Sequence, residues 1–469
     1  DWRAYHGPAN NARAAMAREA AMIFQITNDP RYAELAYETL MTIANSPRDR
    51  GRIDAGNGLH RAAVGMGFAI TYDWCYPGWT NAQRQAVRDQ IIAGLEAWPE
   101  YGHGNFGGDM VSHWVPICRG AELIMILATY EDVYVPDRYE TLIDWLTRHI
   151  TNAYSPTGMS QEGVGVVADA ALVLIPTALA LRDVGDDTLD TAFNSRQWWR
   201  LAMYTGGSSV NRDGRRRYLP GGIASGKMQP IGFASLLLPT VPVEHREHFN
   251  YFYARHVGLA SPGTDEQRFD DGEAGAVWAL LYRPQTLEEK DPAGRMPRAF
   301  VDRQRGVMMV RNRWADENDV LVTIAADAIS QPNAWNQAEA LSIGLIGYGN
   351  AFIGGPGKHA GSRYFSTLLV DGKHHGKPSA AQATGKVKVM EATKFGGYAI
   401  VAGGEQYNSL GVDEVERHLL ADFSQSDGPA IIGVLDRIQS AKEHRYAWQL
   451  NIGDDVSDTA LKLSRGDEQ

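Results

Sequence analysis

Residues 58–97, GLHRAAVGMGFAITYDWCYPGWTNAQRQAVRDQIIAGLEA, decide the fold class. Two stretches long enough for helices, 58–76 and 80–97, are split by Pro77-Gly78, a pair that stops one helix and turns the chain. The same unit recurs on both sides. Upstream, the alanine-rich stretch 9–26 runs into the turn Asn28-Asp29-Pro30, and 31–44 follows with Tyr32, Leu35, Leu40 and Ile43 at helical spacing. Downstream, 111–130 and 136–152 are split at Val135-Pro136, and 163–183 with 187–204 make a fourth pair. The starts recur about every 50 residues, a period that marks stacked helical hairpins. Further helical stretches near 230–258 and 273–283 bring the series to five or six pairs. Pattern alone leaves open whether such hairpins close into a ring or extend as a solenoid.

The texture then changes. Residues 286–298 carry Pro, Lys, Asp and Glu and read as a linker between a helical domain over 1–285 and a sheet domain over 299–469. Short β-rich runs alternate with Gly, Asn and Asp turns: Gly306 to Arg311, Asp319 to Ala325, Leu341 to Ile346, Leu368 to Val370, Val387 to Met390, Tyr398 to Val401 and Ala430 to Leu435. Several short strands at close spacing predict an antiparallel β-sandwich. Residues 455–469 are polar, which leaves open that the sandwich is incomplete at its C-terminus.

Composition bounds the function. The 469 residues exceed one ordinary domain, and 44% hydrophobic with 22% charged residues predicts packed cores. A net charge of −11 argues against nucleic acid, which wants a basic surface, though a cleft on an acidic protein can be locally basic. The two cysteines, Cys75 and Cys118, cannot build a disulfide framework; they read as buried thiols, with a single bridge between them as the alternative. No apolar stretch is long enough for a membrane span. The 12 tryptophans and 20 tyrosines fill cores, and some have the flat face that stacks on a sugar ring.

Several segments carry a resemblance. Ile70-Thr71-Tyr72-Asp73-Trp74 ends a helix with an aromatic-acid-aromatic run. Ser112-His113-Trp114-Val115-Pro116-Ile117-Cys118-Arg119-Gly120-Ala121 opens a helix with His-Trp. Gly158-Met159-Ser160-Gln161-Glu162-Gly163-Val164-Gly165 contains Glu-Gly-x-Gly. Arg305 to Trp314 opens the sheet region, and Leu341-Ser342 to Tyr348-Gly349 follows. In this order and spacing they resemble the heparinase II/III-like polysaccharide lyases, related to alginate, heparin and chondroitin lyases. The resemblance implies an incomplete (α/α)5-6 toroid followed by an antiparallel β-sandwich, with an acidic polysaccharide bound between them. It implies β-elimination beside a uronic acid, leaving a 4,5-unsaturated end, in a periplasmic or secreted protein whose leader is absent from this chain.

That chemistry needs donors that neutralise the uronate carboxylate, a base for the C5 proton, and an acid for the leaving oxygen. By resemblance, His113 stands where the family has an Asn or His contacting the carboxylate or acting as base; otherwise it is a capping or core histidine. Tyr364 resembles the cleft tyrosine ahead of the apolar strand Leu368-Leu369-Val370, and pairs with His113 as base and acid in either order. His359 is the alternative base. Expected substrate contacts are Asn105 in a glycine-rich loop, Arg61, Trp114, Glu162, Asn336, Arg363, and Arg217 in the loop run Arg215-Arg216-Arg217. Each has an ordinary reading beside it: a solvated charge run for the arginines, an ion pair or cap for Glu162, packing for Trp114.

Two departures from the family stand out. Many relatives carry a tyrosine just after the Glu-Gly-x-Gly turn, where this chain has Val166 and Val167. Many also carry His-x-His-x-Asp near a structural zinc, where this chain reads Trp335-Asn336-Gln337-Ala338-Glu339. Asn and Gln are poor zinc ligands, so no zinc and no cofactor are expected, with another divalent cation left open. The reading is a polysaccharide lyase. Its rivals are a glycoside hydrolase using Asp109 with Glu162, a uronate C5-epimerase, and an inert carbohydrate-binding relative. Oligomeric state is not legible.

Overall fold

The computed structural model describes residues 8–47, 52–54, 58–98, 111–133, 136–206, 209–212, 215–218, 231–257, 275–282, 286–316, 318–328, 338–354, 365–375, 385–424 and 430–451. The helices are α1 (Pro8–Thr27), α2 (Pro30–Ala44), α3 (Gly58–Cys75), α4 (Asn81–Glu96), α5 (Trp114–Ala128), α6 (Pro136–Ala153), α7 (Val164–Asp183), α8 (Thr188–Asn194), α9 (Trp198–Thr205), α10 (Ile231–Leu237), α11 (Arg246–Phe252) and α12 (Gly275–Tyr282). The expected helix over 187–204 is two, broken at Ser195 to Gln197.

Local chemistry sets the hairpins. The Asp29 carboxylate caps α2 by accepting the Arg31 N–H, and Pro30 sits in the first turn, where its missing donor costs nothing. Thr80 and Gln83 form a reciprocal capping box at the start of α4. Ala33, Ala36, Leu40, Ile43 and Ala44 give α2 one buried stripe, against α1.

The inner helices pack in succession: α1 on α3, α3 on α5, α5 on α7, α7 on α10, α10 on α12. Glycine permits the close approach. A Cβ at Gly67 would lie 2.7 Å from the Ala14 Cβ on α1, and one at Gly120 would lie 2.7 Å from Val173 on α7. The series then returns on itself. The Arg18 guanidinium of α1 lies 5.6 Å from the centre of the Trp278 ring of α12. That contact bears on what the repeat pattern left open: the hairpins curve round as a toroid, and its first and last described inner helices meet. No described helix is long and apolar enough to cross a membrane.

Strands β1 (Ser209–Arg212) and β2 (Arg215–Tyr218) form an antiparallel hairpin that contacts β7 of the sheet region. The arginine run expected on a loop is therefore a strand, paired Val210 to Arg217 and Asn211 to Arg216.

The sheet region holds β3 (Ala299–Asp302), β4 (Val307–Arg311), β5 (Leu321–Ala325), β6 (Ser342–Gly347), β7 (Asn350–Ile353), β8 (Leu368–Val370), β9 (Lys386–Thr393), β10 (Gly396–Ala402), β11 (Glu414–Asp422), β12 (Ile431–Gln439) and β13 (Tyr446–Trp448). One antiparallel sheet runs β3-β4-β5-β6-β7, a second β12-β11-β10-β9, and β8 pairs with β13. Alternation along β4 and β5 separates two cores. Met308, Val310, Val322 and Ile324 face the second sheet with Met390, Ala399, Val401 and Leu419. Val307, Met309, Leu321 and Ala325 join the core of the helical half.

The five-stranded sheet is thus cemented to the ring. Tyr204 of α9 donates its hydroxyl to the Pro297 carbonyl, and its ring lies 5.6 Å from Trp314 and 5.7 Å from Phe300. Residues 286–298 lie along the ring. Asn250 donates to the Leu287 carbonyl at 2.8 Å, His248 reaches the Lys290 carbonyl at 2.9 Å, and Lys290 pairs with Glu247.

Candidate active site

The inner helices begin at one rim of the ring. Asn11, in the first turn of α1, donates its amide N–H to His60 Nδ1 at 2.8 Å, in the first turn of α3. The starts of α5 and α7 meet through His113 and Glu162. Helix N-termini carry partial positive charge, so this rim favours anions.

His113 precedes the first turn of α5, where Pro116 fits because helix donors there have no intrahelical acceptor. Its ring does not cap that helix. It turns instead to Glu162, on the turn that leads into α7. Gly158 (φ +88°) and Gly163 (φ +106°) shape that turn with left-handed backbone that side chains resist. Glu162 Oε2 accepts the His113 backbone N–H at 2.6 Å and faces His113 Nδ1 at 3.0 Å. The Glu162 N–H is itself held by Ser160 Oγ at 3.0 Å. Both residues are buried, Glu162 to 1% exposure.

This arrangement sets the state of the imidazole. An ionised carboxylate only accepts, so the Nδ1 facing it carries the hydrogen and the basic lone pair lies on Nε2. The carboxylate also stabilises the imidazolium that forms when Nε2 takes a proton. Trp114, half-buried, stands edge-on to His113 with ring centres 6.5 Å apart.

The other expected residues fall differently. Arg61 is buried, and its guanidinium donates to the carbonyls of Ile53 at 3.3 Å, Gly94 at 3.5 Å and Ala97 at 2.6 Å while covering the Trp98 ring. It ties down the end of α4. Glu162, expected to line the cleft, is engaged with His113. Tyr72-Asp73-Trp74 ends α3, away from the rim where that helix starts; Tyr72 packs edge-on against Tyr76. Arg217 lies on β2. Asn105, Asp109, Asn336, His359, Arg363 and Tyr364 lie outside the described residues. Val167 is fully buried.

Cys75 and Cys118 are free and buried, and burial pushes both thiols up to about 12. Among the described residues no group of three or more His, Cys, Asp or Glu is placed to hold a metal. Glu339, from the run 335–339 expected to hold no zinc, is buried, and its backbone bonds to Asp327. Arg305 lies 3.7 Å from that same carboxylate, and a guanidinium beside carboxylates is a poor setting for zinc.

Sequence reasoning missed Asn11, Ser160 and Asp302. Asn10-Asn11 at the head of an alanine-rich helix was the available signal for the first. Asp302 emerges only when the two halves are packed.

No family model and no curated protein matches the sequence. Solved structures do match the fold. Heparinase III superposes with a TM-score of 0.60 at 12% identity, over 94% of this chain and 65% of that one. Heparan sulfate lyase HepC from Pedobacter heparinus gives 0.54 at 13% identity, over 94% of this chain and 64% of its own. The chain thus spans a little under two thirds of the length of each. With its helical toroid and antiparallel sheets, it has the fold of these polysaccharide lyases.

Proposed function

We propose that the protein is a polysaccharide lyase that cleaves an acidic, uronate-containing polysaccharide by β-elimination, in the periplasm or outside the cell. The observation that carries the reading is the buried His113–Glu162 pair at the rim where the inner helices start. The fold shared with heparinase III and HepC supports it.

In this mechanism the sugar lies along the rim, its carboxylate drawn by the helix N-termini and by the hairpin bearing Arg215 to Arg217. His113 Nε2 removes the C5 proton, and Glu162 stabilises the resulting imidazolium. The C5–H electrons form the C4–C5 double bond, the C4–O4 bond breaks, and the leaving O4 takes a proton from Tyr364. His359 is the alternative base. Trp114 forms a wall of the sugar site, with Asn105, Asn336, Arg363 and Arg217 as further contacts. The same proton abstraction without bond cleavage would be a C5-epimerase. A hydrolase needs two carboxylates facing the bond; Glu162, engaged by His113, is a poor member of such a pair.

The test offers heparin, heparan sulfate, chondroitin, hyaluronan, alginate, glucuronan and ulvan to the protein and follows the ultraviolet band of the unsaturated product. Growth of that band, abolished in His113→Ala and strongly reduced in Tyr364→Phe, is expected. New reducing ends without the band, or binding without either, would overturn the lyase reading. Full activity in both variants would overturn the residue assignment.

A further inference from the structure

We propose that Asp302, on strand β3 of the sheet half, is a positioning residue for the His113–Glu162 pair on the helical half; this rests on the reading of His113 as the base. The two sites are joined by one turn, residues 154–163. At its start, Ser155 and Thr157 both donate their hydroxyls to Asp302 Oδ2. The two hydroxyl oxygens are 2.9 Å apart, and Ser155 Oγ also accepts the Met159 N–H at 3.1 Å. The other Asp302 oxygen accepts the Arg305 N–H at 2.6 Å, fixing the carboxylate to the β3–β4 turn. Asp302 and Ser155 are buried to 1% and 4% exposure.

The turn itself is stiff. Tyr154 and Ser160 bridge across it, Ser155 N–H bonds the Met159 carbonyl at 3.0 Å, and Gln161 N–H bonds the Ala153 carbonyl at 2.9 Å. It ends on Glu162, whose N–H is held by Ser160 and whose carboxylate holds His113. A carboxylate in the sheet therefore fixes the height and angle of the turn that aims the histidine. Packing of the two halves and orientation of the base become one event.

Ser155→Ala with Thr157→Ala releases the turn from Asp302 while leaving the Asp302–Arg305 bond of the sheet intact. Asp302→Asn is the second variant. Two readouts apply. The first is the downfield proton resonance of His113 Nδ1–H in histidine-labelled protein, assigned by its absence in His113→Gln. The second is kcat and KM on whichever polysaccharide the wild type cleaves. Loss or broadening of the resonance is expected, with kcat lower by about ten- to a hundredfold and KM little changed, as for a displacement near 1 Å. A wild-type resonance and wild-type kcat in the double variant, with only the melting temperature lowered, would overturn the proposal. If the wild type cleaves nothing in the panel, the lyase reading fails, and the resonance alone still decides the clasp.

Discussion

Strands β4 and β5 form a hairpin with a buried Arg–Asp pair at each end, and the two pairs behave differently. At the turn end, Arg311 Nη2 meets Asp319 at 2.9 Å, and its remaining donors reach the carbonyls of Arg313, Met203 and Gly206. Asp319 also accepts the N–H groups of Ala315 and Asp316. At the open end, Arg305 Nη1 stands 3.7 Å from Asp327 Oδ1, beyond hydrogen-bond reach. Gln406 donates to the other Asp327 oxygen at 3.1 Å. Burial then dominates over Arg305 and Gln406, and the Asp327 carboxyl is pushed up to about 6. A buried charge is held where every donor is met, and becomes protonatable where geometry falls short.

The first way to break this contrast is to make the good pair bad. Arg311→Met takes from Asp319 its buried guanidinium partner, leaving it Arg313 at 3.1 Å on the half-exposed side, and leaves the Met203 and Gly206 carbonyls without their donor, so unfolding free energy should fall by about 3–5 kcal/mol in urea titration. Gly158→Ala strains the same seam. Its φ of +88° resists a side chain, and the new Cβ would lie 2.6 Å from the Trp198 ring and 2.9 Å from the Trp198 backbone N. A loss of about 2–4 kcal/mol is expected in the same titration.

The poor pair should reveal itself through pH. A carboxyl whose folded value is raised binds more protons in the folded than in the unfolded state between the two values. Its contribution to stability therefore falls as pH rises from about 4 to about 6 and is level above. Relative to Asp327→Asn, which has no proton to lose, the wild type should lose about 2–3 kcal/mol across that window. A difference between the two proteins that does not change with pH would show that Asp327 does not titrate there. The smallest effect sharpens the seam: Tyr204→Phe removes one hydroxyl bond to the Pro297 carbonyl and should cost about 1 kcal/mol, read as a lowered urea midpoint.

Much of the fold was legible because its signals are local. Asn28-Asp29-Pro30 and Pro77-Gly78 mark hairpins by what those residues do to their own backbone. Apolar runs such as Val307 to Val310 read as strands for the same reason. Strand β11 did not read so: Glu414-Val415-Glu416-Arg417-His418 looks solvated. Its buried Arg417 is met by Asp436 on β12 and by the carbonyls of Leu341 and Ser366, none of them near in sequence. The site divides along the same line. The resemblance of the segment around His113 brought that histidine forward as a candidate. That Glu162 would hold it, and that three backbone carbonyls would engage Arg61, depends on partners brought in by packing. The straps from residues 287 and 290 to Glu247, His248 and Asn250 likewise depend on packing.

The contact of Arg18 with Trp278 has a consequence for how the molecule assembles. In an open stack, each hairpin can add to the last with only its neighbour in place. A ring has a final junction, and this one joins helices from the two ends of the helical half. The chain entropy lost in that closure is large compared with the gain from any one hairpin turn, so the last junction sets a late, slow step in folding. The same neighbourhood of first and last helices makes the order of hairpins along the chain separable from their order around the ring. A version of the helical half cut between two hairpins, with a linker joining the end of α12 to the start of α1, should keep the Arg18–Trp278 contact.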